Sequence, residues 1–517
     1  MDNPAPRPDE RAAAHVAELV TRAAARVPAH PAVVDVTSAV TLTWVDLDGA
    51  VSAEAARLGV AGVGAGDRVI VRLANGAAFC VALLGALRIG AIAAPYGPIA
   101  VPRELDIVFD DCRPAVVVAA AGDEAAEAAA TRAGAVTLPP PDLTARGEPV
   151  AEVGGGEDIA LLVYTSGTTG TPRGVQLSHR AVLANRQQTA ALRPAPVTAV
   201  DRVLLSLPLF HIFGLGAGLL QVCWAGATVV LTERFEPTEI ADLLVEHRVS
   251  EVAGVPSMFR ALLDLPPERL RAATAGLRLC TSGGAPLPPR WLAEFRDTTG
   301  LSIFEGYGLT EAGPVLTINA LGGVPKAGSV GRALPGVELR LVDAQGRPID
   351  TGLDPDPDDM DVSDPAQDTG LVAVRGPNLF SGYWPDGHGG PDTDGWFSTA
   401  DVGFLDADGD LYLVDRASDL VIVNGFNVYP REVEDVLAEL PGVAEAAVVG
   451  VPDDRTGEAV KAVLVRAAGD PLTEEQVRTH CAVRLARFKV PAVIEFVDLL
   501  PRTPTGKVAR RQLAGRA

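Results

Sequence analysis

The sequence predicts an α/β fold with a large N-terminal domain and a smaller C-terminal domain. The chain has 517 residues, which is too many for one ordinary hydrophobic core, so we expect two or more domains. Short apolar segments alternate with helical segments through most of the chain, which is typical of layered, largely parallel sheets. After Arg416 the order changes to helix, two strands, helix and strand, which predicts a separate small α+β domain.

The layered region follows from the apolar pattern of the N-terminal part. Residues 10–27 and 45–58 are alanine-rich and predict helices. Strands and helices then alternate in two groups. The first group has predicted strands at 68–73, 91–94, 115–119 and 159–163 and a helix at 77–88; the second has strands at 203–206, 228–231 and near Val252, with helices at 212–224 and 237–247.

Shorter strands separated by turns follow, at 337–342, 371–374 and 411–414, and predict a distorted β-barrel within the large domain. The acidic stretch 354–368 starts like a calcium loop. It lacks the glycine and the bidentate glutamate that such a loop requires, so we expect a solvated surface insertion. Residues 406–410 fail the same test and predict a hairpin turn.

The small C-terminal domain is predicted from its own apolar periodicity. Thr473 and Gln476 have the spacing of a capping box for a helix that continues through Leu485. The remaining predicted elements are a helix at 431–440 and strands at 445–451, 459–465 and 493–497.

Charge and cysteine content exclude several function classes. The net charge is −22 and the pI about 4.8, which disfavours nucleic acid and anionic membrane surfaces as partners. The five cysteines are widely scattered, without metal-ligand or redox spacing, so neither zinc nor disulfides are expected. The polar, acidic N-terminus is unlike a signal peptide. We therefore expect a cytoplasmic protein.

The segment 203–232 contains no Asp, Glu, Lys or Arg and is long enough to span a membrane. Pro208 and several glycines interrupt it, so we favour a buried strand–helix–strand unit and predict no integral membrane span. A largely apolar wall with one imidazole also suits a pocket for an apolar substrate.

The most informative stretch is 164–174, Tyr-Thr-Ser-Gly-Thr-Thr-Gly-Thr-Pro-Arg-Gly. Its glycines permit unusual backbone conformations, and its hydroxyls and successive N–H groups can form a nest for a polyphosphate. Arg173 adds a positive charge at the mouth of this loop. Pro172 prevents a helix from continuing there, so the loop is not a Walker A site. A flexible linker is the alternative, which the preceding buried strand disfavours.

Seven blocks in this order resemble the adenylate-forming superfamily, which includes acyl-CoA synthetases, peptide-synthetase adenylation domains and luciferases. Besides 164–174 they are Ser282-Gly-Gly-Ala-Pro286, Glu305-Gly-Tyr-Gly-Leu-Thr-Glu311, Trp396-Phe-Ser-Thr-Ala-Asp401, Asp415-Arg416 with Asp419-Leu-Val-Ile-Val-Asn-Gly425, Phe426-Asn-Val-Tyr-Pro-Arg-Glu-Val-Glu434 and Pro501-Arg-Thr-Pro-Thr-Gly-Lys507. The resemblance spans most of the chain. It implies an AMP-binding domain at 1–417 and a small, mobile C-terminal domain at 418–517.

The resemblance implies that ATP and Mg²⁺ convert a carboxylic acid to an acyl-adenylate with release of pyrophosphate, and that the thiol of coenzyme A then displaces AMP. Glu311 would ligate Mg²⁺, and Thr310 would contact the α-phosphate. The β- and γ-phosphates would bind Thr165, Ser166, Gly167, Thr168, Thr169 and Gly170, beside Arg173. Adenine would lie against Tyr307 and Gly308 and along Gly284, Ala285 and Pro286.

The remaining implied roles divide between ribose, catalysis and the thiol. Asp401 would accept hydrogen bonds from both ribose hydroxyls, with Arg416 beside it. Lys507 would reach between the carboxylate and the α-phosphate during adenylation. The small domain would rotate about Ser418 between half-reactions. The pantetheine arm of coenzyme A would pass Asn424, Gly425 and Phe426.

Three positions depart from the family's usual residues. Arg173 replaces a lysine and keeps the charge, and Ala400 replaces a glycine before Asp401. Ser418 stands where the family usually has Asp or Lys, but a hinge needs only to absorb a dihedral change, and serine can do so. None of these changes removes a chemical group that the mechanism needs.

The acid is predicted to be apolar. An amino-acid-activating member would have an acid in the 208–214 block, and a malonate-specific one an arginine where Gly306 stands. The predicted pocket consists of Phe210, His211, Phe213 and Gly214 with Gly283, Gly284, Gly306 and Leu215. Such a pocket predicts a medium- or long-chain fatty acid, because each buried methylene contributes about 0.8 kcal/mol.

Several alternatives stay open. An aryl acid is possible, and His211 could be a pocket gate or a satisfied core histidine. The acceptor is predicted to be coenzyme A, with an acyl carrier protein as the alternative. A non-catalytic adenylate-binding protein is the second class of function, which the presence of Lys507, Glu311 and Asp401 disfavours.

Overall fold

The computed structural model describes residues 13–166, 172–349, 369–416, 419–423, 426–453, 455–467, 472–503 and 508–514. Its internal contacts divide the chain into two compact units. The first is Met1–Glu338 with Arg375–Phe397, and the second is Leu339–Val374 with Ser398–Ala517. The domain boundary expected after residue 417 stays a prediction. The acidic stretch 354–368 lies outside the described residues.

The first unit is built from strands and helices that alternate along the chain. Its strands are β1 Pro31–Asp35, β2 Val40–Thr43, β3 Arg68–Arg72, β4 Ile92–Pro95, β5 Val116–Ala119, β6 Val136–Leu138, β7 Ile159–Ser166, β8 Pro172–Ser178, β9 Arg202–Leu205, β10 Thr228–Leu231, β11 Glu251–Gly254, β12 Leu279–Ser282, β13 Ile303–Gly308, β14 Val315–Ile318 and β15 Ser329–Ala333. Its α-helices are α1 Glu18–Arg26, α2 Trp44–Val60, α3 Ala77–Arg88, α4 Pro102–Cys112, α5 Glu124–Ala133, α6 His179–Ala190, α7 Gln221–Ala225, α8 Pro237–Glu246, α9 Pro256–Leu263, α10 Pro267–Thr274 and α11 Pro289–Thr299.

Two sheets organise this unit. One has the order β6-β5-β3-β4-β7-β8, parallel except for the β7–β8 pair. The other runs β2-β1-β10-β9-β11-β12-β13-β14-β15, parallel from β1 to β13 and antiparallel at both ends. Strands joined through helices give this parallel pairing, so the predicted layered α/β class is confirmed.

Helix α3 lies in the interior of the first unit. It carries almost no polar residue, which is the pattern of a helix surrounded by protein, and all its residues except Ala78 are buried. It packs on α2, β3 and β4 and also contacts β1 of the other sheet. Helix α2 begins with a capping box, in which Thr43 and Asp46 each accept a backbone hydrogen bond.

The second unit holds the remaining elements. A few end residues of its first strands belong to the first unit. The elements are β16 Glu338–Val342, β17 Gly370–Arg375, β18 Trp396–Leu405, β19 Leu411–Arg416, β20 Val421–Val423, β21 Phe426–Val428, α12 Pro430–Ala438, β22 Val443–Asp453, β23 Gly457–Arg466, α13 Glu474–Ala482, β24 Val493–Val497 and α14 Arg510–Ala514. Strands β16 to β19 are neighbours in that order, and β20 to β24 form a second sheet. Val433 and Leu437 of α12 are buried in its core.

Several local predictions are confirmed. The capping box of Thr473 and Gln476 begins α13, although this helix ends at Ala482 rather than at Leu485. Residues 406–410 form the turn between antiparallel β18 and β19. In that turn Asp406 Oδ1 accepts the amides of Asp408 and Asp410 at 3.0 and 2.9 Å, which explains the acidic cluster as turn chemistry.

The uncharged segment 203–232 forms the expected strand–helix–strand unit, from β9 to β10. Its helix is not a single α-helix, because Phe213–Leu220 has the wider π-helical turn and only Gln221–Ala225 is α-helical. A helical pattern in the sequence does not distinguish these two hydrogen-bonding schemes. No helix within the described ranges is long and apolar enough to cross a membrane.

Candidate active site

The arms of the predicted phosphate loop form an antiparallel hairpin. Strand β7 ends at Ser166 and β8 begins at Pro172, and Thr165 lies opposite Arg173. The hairpin therefore brings the two ends of the Ser/Thr/Gly loop together, as a phosphate nest requires. Gly167, Thr168, Thr169 and Gly170 lie outside the described residues, as does the side chain of Ser166.

Arg173 has an aromatic partner that the sequence did not reveal. Its guanidinium carbon lies 3.7 Å from the centroid of the Tyr383 ring. This distance is well within cation–π range, so the ring holds the charge of Arg173 next to the hairpin. The arginine that departs from the family's lysine is suited to this contact, because a planar guanidinium stacks on an aromatic ring.

Tyr383 also contacts the predicted Mg²⁺ ligand. Its hydroxyl donates to Oε1 of Glu311 at 2.7 Å. Burial, the Glu311 carboxylate and this hydrogen bond raise the pKa of Tyr383, in that order, so the phenol remains a donor near neutral pH. Oε2 of Glu311 has no partner among the described residues. Arg173, Tyr383 and Glu311 therefore form one line of contacts, which we call the Arg173–Tyr383–Glu311 chain.

Backbone pairing directs Tyr383 into this position. The segment 381–384 continues the sheet beside β8: Ser381 N donates to Gln176 O at 2.9 Å, and Trp384 N donates to Gly174 O at 2.8 Å. Gly382 has a φ of +104°, and a Cβ there would overlap the backbone of Gly387. Only glycine fits this turn. Gly382 is a turn residue that the sequence shows, but the sequence does not show the partners of Tyr383.

Glu311 itself lies in a short turn after β13. Thr310–Ala312 form one 3₁₀ turn, which Gly313 closes by donating its N–H to the Thr310 carbonyl at 3.2 Å. Thr310 is buried, and the carbonyl of Glu311 accepts the amide of Phe380 at 2.9 Å. The backbone of this turn is therefore fixed independently of the carboxylate.

The predicted adenine residues lie where neighbouring parallel strands end. Ser282 at the end of β12 pairs with Glu305 of β13, and Leu287 N donates to Glu305 Oε1 at 3.1 Å. Parallel strands end at the same edge, so 283–286 and 306–308 lie close together, at the edge where α/β proteins bind nucleotides. Gly284, with a φ of +81°, makes the turn there. Tyr307 is half-buried.

Part of the predicted acyl pocket comes together at the same edge. A Cβ on Gly283 would lie 3.3 Å from the Phe213 ring and 3.4 Å from the carbonyl oxygen of Gly306. Phe210 packs instead against Gly97, where a Cβ would lie 3.0 Å from its ring. His211 is half-buried, and its Nδ1 accepts the amide of Phe213 at 3.2 Å. A Cβ on Gly214 would lie 2.5 Å from the Pro208 carbonyl oxygen.

The predicted ribose acceptor belongs to the second unit. Asp401 is buried in β18, opposite Arg416 of β19. The amide of Asp401 donates to Thr399 Oγ1 at 3.2 Å, and that hydroxyl donates to Val372 O at 3.1 Å. Ala400, the departure from glycine, has a φ of +62°. Lys507, Ser418, Asn424 and Gly425 lie outside the described residues, as do the side chains of Arg416 and Phe426.

Comparison with known proteins gives the family. Residues 20–384 match the AMP-binding enzyme family and 432–507 match the AMP-binding enzyme C-terminal domain. The chain is 34% identical to a feruloyl-CoA synthase of Amycolatopsis sp over 480 residues, 92% of this chain and 94% of that one. It is also 34% identical to a long-chain-fatty-acid–CoA ligase of Escherichia coli O157:H7 over 502 residues, 88% and 86% of the two chains.

Solved structures agree with this assignment. ATP-bound MatB from Rhodopseudomonas palustris is 32% identical with a TM-score of 0.88, covering 96% of this chain and 98% of that one. The chain therefore belongs to the AMP-binding family of adenylate-forming enzymes, and the predicted large N-terminal and smaller C-terminal arrangement is confirmed. It is an AMP-forming CoA ligase, which adenylates a carboxylic acid and transfers the acyl group to coenzyme A.

Proposed function

We propose that this ligase activates an apolar carboxylic acid, with medium- or long-chain fatty acids as the preferred class. The Phe213 ring lies against Gly283, which the carbonyl oxygen of Gly306 also approaches, and neither glycine carries a side chain. No charged residue occurs from 203 to 232 to meet a second charge on the acid. Each methylene buried against such a wall contributes about 0.8 kcal/mol, so the preference would follow chain length.

An aryl acid is the second candidate. One relative is named for feruloyl-CoA and another for long-chain fatty acids, at the same 34% identity. The aromatic wall of Phe213 could stack on a ring as well as cover an alkyl chain. Substrate assays therefore decide between the two classes.

The Arg173–Tyr383–Glu311 chain is the observation that supports the proposed site. It joins the arm of the phosphate loop to the carboxylate proposed to hold Mg²⁺. A carboxylate oxygen is a ligand that Mg²⁺ prefers, and Oε2 of Glu311 is without a partner in the described chain, so this residue fits the ion. When bound, the ion would neutralise phosphate charge.

The other residues would bind and orient the reactants. The hairpin loop from Thr165 to Gly170 would hold the β- and γ-phosphates, and Thr310 would donate to the α-phosphate. Tyr307, Gly308 and 284–286 would bind adenine, and Asp401 with Arg416 would bind the ribose. Lys507 would place its ammonium between the carboxylate and the α-phosphate, where negative charge gathers as the two approach.

A carboxylate panel tests the proposal. Straight-chain fatty acids of increasing length and aryl acids are each mixed with ATP, Mg²⁺ and coenzyme A, and AMP release and thioester mass are recorded. We expect turnover to rise with alkyl length. A maximum on an aryl acid would replace the fatty-acid assignment with the aryl one. Thioester formation on an added carrier protein as well would add carrier proteins to coenzyme A as acceptors.

Lys507 allows the two half-reactions to be separated. Replacing Lys507→Ala should abolish adenylation and largely spare thioester formation from supplied acyl-AMP, because only the first step requires that cation. Equal loss of both steps would contradict the role. In the thioester step the pantetheine arm would pass Asn424, Gly425 and Phe426, after rotation of the C-terminal domain about Ser418. We also propose that the protein is cytoplasmic.

A further inference from the structure

Three arginines of the first unit are almost completely buried. Arg72, Arg88 and Arg186 have exposed fractions of 3%, 1% and 0%. Arg72 is paired with Asp123, and Arg88 with Asp48, at 2.7 and 2.6 Å. Arg186 has no carboxylate partner among the described residues, and only neutral oxygens accept its hydrogen bonds.

A buried cation without an anion is unfavourable, because desolvation is not offset by an opposite charge. Burial lowers the pKa of Arg186 to about 9, which still leaves it charged near neutral pH. A neutral side chain of similar size would avoid this cost. The contacts of Arg186 should therefore explain why a guanidinium occupies the position.

Those contacts join two parts of the candidate active site. Nη1 donates to the carbonyl of Gly216 at 2.6 Å and to Gln221 Oε1 at 3.2 Å. Nη2 donates to the carbonyl of Gly313 at 3.2 Å and to the side-chain oxygen of Asn185. Gly216 lies in the π-helix that begins with Phe213, and Gly313 closes the turn that carries Glu311.

Two neighbouring contacts strengthen the same junction. Asn185 donates from Nδ2 to the carbonyl of Val315 at 2.7 Å and accepts the amide of Val315 at 3.2 Å. Gly216 approaches Pro314 so closely that a Cβ there would lie 2.6 Å from Pro314 Cδ. The π-helix therefore packs directly on the segment after Glu311, and the fork of Arg186 spans the contact.

We propose that Arg186 is a positioning residue that fixes the predicted acyl wall, the helix Phe213–Leu220, against the turn that carries Glu311. The inference rests on the proposed function. A guanidinium suits the task because its two terminal nitrogens reach carbonyls of two separate segments at once. Binding of the acid against this helix is thereby coupled to the position of the carboxylate that would hold Mg²⁺.

The test compares Arg186→Met and Arg186→Lys with Arg88→Met. Arg88 of α3 is the matched control. It is as buried as Arg186, but it is hydrogen-bonded to Asp48 and Ser52 of α2. We expect both Arg186 variants to raise the KM of the acid and of Mg–ATP together, by roughly 10- to 100-fold, because the two segments lose their common support. Arg88→Met should lower Tm and leave both KM values within twofold.

The outcomes separate positioning from plain stability. If Arg186→Met lowered only Tm, as the control does, the inference would be wrong. Full recovery of both KM values by Arg186→Lys would also overturn it, because one ammonium does not reproduce the fork. Calorimetric titration of the apo proteins with Mg–ATP measures the Kd for the nucleotide without turnover. We expect the Kd of Arg186→Met to be roughly tenfold higher than that of the wild type.

A second variant tests the same junction if Arg186→Met does not fold. Gly216→Ala places a methyl group against Pro314 and should raise both KM values together. Its control is Gly59→Ala in α2, where a Cβ meets nothing within 4 Å. Wild-type protein that releases no pyrophosphate with any acid would refute the proposed function; unchanged Mg–ATP affinity in Gly216→Ala and Arg186→Met would refute the inference alone.

Discussion

Glu311 and Asp401 are the two carboxylates on which the proposed nucleotide site depends, and they are held in different ways. Glu311 lies in a short turn of the first unit, and its side chain is held by the hydroxyl of Tyr383. Asp401 lies in the paired strand β18 of the second unit, after a residue with a φ of +62°. The Glu311 carboxylate has a side-chain partner in Tyr383, and the backbone of Asp401 is fixed by strand pairing.

The difference determines which substitutions should matter. A carboxylate held by a side chain can be disturbed by changing that partner, while its backbone stays in place. A carboxylate held by a strand responds to changes in the φ and ψ angles beside it.

Replacing the carboxylate of Glu311 or of Asp401 should give the largest losses of adenylation activity. The first change should act mainly on kcat/KM and the second mainly on the KM for ATP. Glu311→Gln is expected to lower kcat/KM for adenylation by ~10²–10³-fold, because an ion that stabilises developing charge loses its ligand. Asp401→Asn is expected to cost ~10- to 100-fold, mainly in the KM for ATP, because the proposed hydrogen bonds to ribose would be the same in the ground state and the transition state. Steady-state pyrophosphate release measures both. If the two variants changed kcat and KM to the same extent, Glu311 and Asp401 would not have the different roles proposed here.

Tyr383→Phe tests the side-chain support of Glu311. We expect roughly a tenfold rise in the Mg²⁺ concentration needed for half-maximal rate, because a hydrogen bond to a charged group is worth ~1.5–3 kcal/mol. The measurement is a Mg²⁺ titration at fixed ATP. Tyr412→Phe in β19 of the second unit is the control and should leave this titration unchanged. A Tyr383 variant with normal Mg²⁺ dependence would show that Glu311 needs no such partner.

The sequence predicted those parts of the site that follow from local patterns. Strand β7, the turn at 406–410 and the capping box of Thr473 were predictable, because each depends on residues near one another in the chain. The roles of Glu311 and Asp401 came from matched blocks and stay predictions. The π-helical turn of Phe213–Leu220 was not predictable, since an apolar helical pattern does not distinguish a π-helix from an α-helix and the close contacts of this helix are with the distant residues Leu205 and Pro314.

Contacts between distant segments were missed for the same reason. Tyr383 stands in a loop without periodicity, and nothing near it in the sequence names Glu311 or Arg173 as its partners. The sequence indicates the charge of Arg173 at the mouth of the phosphate loop but not the aromatic ring beside it. Arg186 carried no signal, because its partners are neutral oxygens and the two segments that it joins are recognised through backbone carbonyls, which every residue has.

The two units should also differ in their response to acid. His15 and His179 of the first unit are buried with ring centroids 3.9 Å apart, and the Nδ1 of His179 accepts the amide of Val16 at 3.0 Å. Burial lowers the pKa of both, that of His179 to about 3, while nearby Glu152 and Glu18 oppose the effect at His15. In the part of the second unit that the structure describes, no histidine is buried.

The folded pKa of each histidine lies below the unfolded one, so the contribution of these two histidines to stability is fully present above about pH 6.5. Below that pH the contribution of His179 should fall by about 1.4 kcal/mol per pH unit until its folded pKa near 3, and His15 changes the stability in the same direction. All five tryptophans lie in the first unit, so urea unfolding followed by their fluorescence reports on it. His179→Asn, which keeps an acceptor for Val16, should flatten the pH dependence; an unchanged slope would exclude the histidine as its source.

Ala400→Gly tests the backbone support of Asp401 and should give the smallest effect. A φ of +62° is strained for alanine but not for glycine, and the exposed methyl group has little packing to lose. Relief of strain, less the added freedom of glycine in the unfolded chain, should stabilise the second unit by roughly 0.5–1 kcal/mol.

The measurement is hydrogen exchange of the β18 amides, which should slow in Ala400→Gly. Ala400→Val is the opposed variant and should speed their exchange, because a β-branched residue tolerates positive φ less well than alanine. The KM for ATP should rise in the valine variant alone, since the strained backbone would then release Asp401. If glycine also raised this KM, the strain at Ala400 would itself be what aims the carboxylate, and Asp401 would depend on a fixed backbone as strictly as Glu311 depends on Tyr383.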